Sequence, residues 1–126
     1  MKLKRLIPAL FWLIIVSLLL WTPGNTLKNF PVFSVRDKLG HFILFATLSF
    51  LWLRIGSINS ERLINMKYFI TNLLVFVLIF PILAEYLQLF VPNRTFDYYD
   101  IVANLVGGIF GFMTFFILYK AGSKLV

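Results

Sequence analysis

Glu85 sits near the end of a long apolar run that also holds Pro81, and Gln88 follows it three residues later. A carboxylate in a bilayer costs roughly 2.5–3.5 kcal/mol on insertion scales. A membrane helix that keeps one turns it into the bundle, pairs it or uses it. At i and i+3, Glu85 and Gln88 share a helix face, and Pro81 lies on that face one turn earlier. A proline there leaves the carbonyl of Val77 without its usual donor and tends to bend the helix. The pair reads either as a working site or as polar glue between helices.

Two further constellations carry chemistry. Asp37 and His41 stand at i and i+4, where a carboxylate can hold the imidazole tautomer or join it at a metal. The plainer reading is an Asp helix cap followed by an interfacial histidine. The densest stretch runs Arg94-Thr95-Phe96-Asp97-Tyr98-Tyr99-Asp100 and on to Asn104. Asp97 and Asp100 resemble the acids of a helix start, but that leaves Asn104, one turn further into the apolar segment, unexplained. Asp100, Asn104, Gly107 and Gly111 fall on one helical face, polar above and glycine below. Ala103, Gly107 and Gly111 form a small-xxx-small run suited to close helix approach.

These residues need a scaffold, and composition says which. The 126 residues are 60% hydrophobic and 13% charged, too apolar for a soluble domain of this size. The reading is all-α: a polytopic membrane bundle of four transmembrane helices at about 6–21, 39–55, 68–91 and 101–119, in one domain spanning 1–126. A span needs about 20 residues, so the first two are short without flanking turns. Lys2, Lys4 and Arg5 precede the first span as they would in a signal peptide, but the exit Leu20-Trp21-Thr22-Pro23-Gly24 lacks a small-x-small cleavage site, and an uncleaved anchor is expected. The absence of cysteine excludes disulfides, thiolate ligands and cysteine nucleophiles.

The charge of +7 places bases beside apolar runs, which points to lipid and the positive-inside bias and not to nucleic acid. Eight bases (Lys2, Lys4, Arg5, Arg54, Arg62, Lys67, Lys120, Lys124) oppose four (Lys28, Arg36, Lys38, Arg94). Both termini are therefore expected in the cytoplasm. Asp37, His41, Glu85, Gln88, Arg94, Asp97, Asp100 and Asn104 then meet at one level just below the outer surface. Glu85 lies about 9 Å of helix rise from Val91. The loop from Thr22 to Arg36 is expected in the interface above them.

Three blocks, Asp37-Lys38-Leu39-Gly40-His41-Phe42, Glu85-Tyr86-Leu87-Gln88 with Val91-Pro92, and Arg94-Thr95-Phe96-Asp97 through Asp100 to Asn104 with Gly107 and Gly108, together resemble the VanZ-like family of small bacterial membrane proteins. The likeness implies a four-helix membrane bundle and a role at the cell envelope, in some members reduced sensitivity to lipid-tailed glycopeptides such as teicoplanin. Its motif residues fall on Asp37, Lys38, His41, Glu85, Gln88, Arg94, Asp97, Asp100 and Asn104, and these are the expected ligand-binding residues. The family label does not name a reaction.

Three functions fit. The first is an envelope protein whose outer cluster binds a lipid head group or a lipid-linked cell-wall precursor, with Lys38 and Arg94 meeting phosphate. The second is an intramembrane enzyme using His41 and the carboxylates as metal ligands or acid–base groups; a single histidine argues against a zinc hydrolase. The third is a small proton-coupled exporter, though the first helix lacks the acid such proteins carry there. The sequence names no cofactor and no catalytic residue.

Overall fold

The computed structural model describes residues 2–27 and 38–126. The expectations for Asp37 and for most of the first loop lie outside them. The described residues are helical, with no strand among them. They form α1 (Lys2–Trp21), the single turn α2 (Gly24–Leu27), α3 (Lys38–Leu53), α4 (Met66–Gln88) and α5 (Tyr98–Lys120). Three long apolar helices and a shorter one, α3, lie where the four spans were expected, with ends shifted by a few residues.

α1, α4 and α5 are each long and apolar enough to cross a membrane. At 1.5 Å per residue, the 23 residues of α5 reach about 34 Å, against a hydrocarbon thickness of about 30 Å. Their outward faces are apolar: Ile7, Phe11, Ile14 and Leu18 on α1, and Val102, Val106, Ile109, Phe110 and Met113 on α5, are all exposed. Such stripes are the surface a bilayer covers. α3, with 16 residues, reaches only about 24 Å. It packs against α1, α4 and α5, and its end is met inside the protein: Asn72 Nδ2 donates to Trp52 O in its last turn at 3.0 Å and to Ile55 O just beyond it at 2.9 Å. A short helix is tolerated where side chains, not water, satisfy its end.

α3 and α5 run parallel and touch closely. A Cβ on Gly107 would strike the backbone of Phe42, and one on Gly111 would strike Ala46 O and Ser49 Oγ. Ser49 Oγ donates across this seam to Gly108 O at 3.0 Å. The small-residue run therefore serves packing, as its spacing implies. α1 is held by Val16 and Leu20 against Phe45, Leu48 and Ala84, and by Trp12 Nε1, which donates to Leu44 O at 3.0 Å.

α4 departs from a simple proline bend. Residues Leu73–Ile79 wind as a π-helix between the α-helical turns Met66–Asn72 and Phe80–Gln88. Phe80 N–H reaches back five residues to Val75 O. Pro81 has no N–H to offer the ladder, and the wide turns shift the pairing by one residue just ahead of it. The irregularity thus begins two turns before the proline, and it precedes the polar end of the helix.

The chain ends sort into two levels. Arg5 Nη1 donates to Arg54 O, and Tyr119 OH donates to Arg62 O, so the start of α1, the 54–65 loop and the end of α5 share one end. At the other, Gly24 N–H donates to Pro92 O. That end carries the polar cluster.

Candidate functional site

Helix starts and ends from three segments build the cluster. Asp97 is the N-cap of α5: its Oδ1 accepts from Tyr99 N–H at 2.8 Å, the use that its place before an apolar run predicts. That N–H, helped by Lys38, holds the Asp97 carboxyl below its ordinary range. Asp100 follows in the first turn and Asn104 in the second. α3 brings Lys38 at its first residue and His41 one turn in. α4 brings Glu85 and Gln88 in its last turns.

The deepest member is Asn104, fully buried. Its Nδ2 donates to Pro81 O at 3.1 Å, which orients the amide and leaves Oδ1 to accept at 2.9 Å from His41 Nδ1. His41 therefore carries a proton on Nδ1, and its Nε2 faces Asp100 Oδ2 at 3.7 Å. One asparagine ties α3, α4 and α5 together and sets a tautomer. Asn104 thus joins His41 and Pro81 O in one cluster, which a helix start at Asp97 and Asp100 does not by itself explain.

Glu85 is also fully buried, and among the described residues it accepts through Oε1 alone, from Asp97 N–H at 3.2 Å. Lys38 Nζ stands at the mouth, half exposed, 3.3 Å from Asp97 Oδ2, 3.7 Å from Asp100 Oδ1 and 5.7 Å above the Tyr99 ring. Arg94 goes elsewhere. Its Nη2 donates to Leu19 O at 2.6 Å and its Nε to Thr22 O at 3.1 Å, closing the carbonyl end of α1. Burial lowers its pKa from the ordinary value, while the charges of Glu85 and Asp100 oppose that shift. The structure thus joins Lys38, His41, Glu85, Asp97, Asp100 and Asn104 directly. Arg94 and Gln88 border them.

Four buried polar atoms here make no hydrogen bond with the described residues: Glu85 Oε2, Gln88 Nε2, Arg94 Nη1 and Asp100 Oδ1. Buried polar groups are paired in the large majority of cases. Two acceptors and two donors around one cluster suit a ligand that is itself both donor and acceptor. Among the described residues no three His, Asp or Glu side chains converge as metal ligands. The sequence reading passed over three contributors: the Pro81 carbonyl, Tyr99 beneath the lysine, and Ser49 on the seam. Only Ser49 left a mark, as a hydroxyl in an apolar run at helical spacing from His41.

A family profile described as VanZ/LLP1 matches residues 5–119, nearly the whole chain. No curated protein and no solved structure gives a significant match.

Proposed function

Because the chain belongs to the VanZ-like family, we propose that it is a bacterial cell-envelope membrane protein whose polar cluster, at the outer face, binds a lipid head group or a lipid-linked cell-wall precursor. The consequence for the cell is lower sensitivity to lipoglycopeptides such as teicoplanin. The observation that carries this reading is the set of four buried polar atoms that make no hydrogen bond with the described residues, of which Asp100 Oδ1 faces the Lys38 ammonium at 3.7 Å. Gln88 Nε2 and Arg94 Nη1 offer donors to phosphate or carbonyl oxygen. Glu85 Oε2 and Asp100 Oδ1 accept from a hydroxyl, amine or amide. Arg94, already bound to α1, spends one nitrogen on the ligand and not its whole fork. In this orientation the positive-inside bias puts both termini in the cytoplasm of the inner membrane.

Thermal unfolding of the purified protein with a water-soluble polyprenyl pyrophosphate tests the binding claim. A ligand at 100 times its Kd stabilises by about 2.7 kcal/mol, so the midpoint of the parent rises while that of Glu85→Gln stays put. Equal shifts in both, or none in either, would remove the cluster as the binding site. An acid–base enzyme is the second reading, and the fixed His41 tautomer with Nε2 turned toward Asp100 favours it. Turnover of the same compound, lost in His41→Gln, separates it from simple binding.

A further inference from the structure

The opposite end of the bundle holds a second feature that the polar cluster does not use. A cavity of about 400 Å³ lies where the start of α1, the end of α3 and the start of α4 meet, lined by Arg5, Arg54, Asn59, Asn65 and Tyr68 among others. That is within the range of about 300–1,000 Å³ typical of small-ligand pockets. Gly56, at φ +72°, turns the chain between Arg54 and this wall, with the Tyr68 ring 3.2 Å from where its Cβ would be.

Its chemistry is that of an anion site. Arg5 Nη1 donates to the backbone carbonyl of Arg54 at 3.3 Å, and both arginines line the cavity. Arg54 lies over the Phe50 ring at 5.4 Å, and its Nε is buried without a hydrogen-bond partner. Burial and the like charge of Arg5 both push Arg54 below its ordinary pKa, with no acid acting against them. Among the described residues neither arginine has an ion pair: Glu85, Asp97 and Asp100 are at the other end, and Glu61 is exposed. The amide oxygens of Asn59 and Asn65 already accept from backbone N–H groups, Asn59 from Glu61 and Leu63 and Asn65 from Tyr68. Both side chains keep their amide N–H groups as donors for a ligand. Two cations lining one cavity, two amide donors and no ion-paired acid among the described residues select a compact, multiply charged oxyanion.

We propose that this pocket binds a phosphate group between Arg5 and Arg54, supplied by an anionic phospholipid head group of the adjacent leaflet or by phosphate in solution. Basic pockets between helix ends at a membrane surface hold lipid phosphates by the same physics. The site is separate from the polar cluster, so neither depends on the other.

Native mass spectrometry of the full chain in uncharged detergent, titrated with phosphatidylglycerol or with inorganic phosphate, tests it. The parent should hold one phosphatidylglycerol. Arg54→Gln and Arg5→Gln should each weaken it at least tenfold, while Lys124→Gln, with the same loss of charge, changes it less than twofold. If inorganic phosphate binds with the same arginine dependence and the lipid does not, the phosphate site stands and its source is soluble. Arg5→Gln gives up a single hydrogen bond to a carbonyl, so it reads the site even if Arg54→Gln fails to fold. No adduct on the parent, or parental affinity in folded Arg5→Gln, would overturn the proposal.

Discussion

Replacing Asn104 by alanine should destabilise the bundle by about 2–4 kcal/mol. Asn104 is fully buried and makes two interhelical bonds, 2.9 Å to His41 and 3.1 Å to Pro81 O. Interhelical hydrogen bonds in membrane proteins average about 0.6 kcal/mol, so two set a lower figure of about 1.2 kcal/mol. The substitution also strands the Nδ1–H of His41, at about 1–3 kcal/mol for a buried group left unsatisfied, whereas Pro81 O keeps the helical N–H of Glu85. The two contributions together give about 2–4 kcal/mol. The assay is unfolding of purified protein in mixed micelles with increasing SDS, followed by tryptophan fluorescence. A double-mutant cycle with His41→Ala isolates the pair, and bonded neighbours should couple by at least 0.5 kcal/mol. A stability loss under 0.5 kcal/mol in Asn104→Ala, or additive effects in the cycle, would refute the Asn104 bridge and the tautomer derived from it.

Arg94→Lys should loosen α1 and lower the SDS midpoint by about 1–2 kcal/mol, because a lysine lacks the planar fork that reaches Leu19 O and Thr22 O together; a parental midpoint would show that these bonds contribute nothing. Gly107→Leu should lower the amount of protein in the membrane severalfold, since any side chain there meets the backbone of Phe42, and normal abundance would contradict the seam. A cysteine at exposed Thr95 should react in intact cells with a reagent that cannot cross the membrane; labelling only after lysis would reverse the orientation.

Apolar runs and base counts were enough to read four helices and two polar levels, because bilayer thickness and charge asymmetry act residue by residue along the chain. The helical face Asp100–Asn104–Gly107–Gly111 was legible for the same reason: its period is local. Arg94 was not. Its partners lie 72 and 75 residues away, and they are backbone carbonyls, which no side-chain spacing encodes. The π-helical turns of Leu73–Ile79 likewise leave no composition mark, being a ladder's response to a proline that follows them. His41 was legible as a candidate through Asp37, yet its described partners are Asn104 and Asp100 from a helix more than fifty residues on. Spacing finds neighbours on one helix and is silent about neighbours across the bundle.

The claim that the polar cluster is the working site is tested most directly by survival under a lipoglycopeptide in a sensitive host, with membrane protein level measured in parallel. Glu85→Gln and Asp100→Asn keep shape and most hydrogen bonding while removing a charge, and neutralising a buried acid eases insertion. Both variants should therefore reach parental abundance and lose protection. Protection equal to the parent in both would make the acids structural and contradict the binding site.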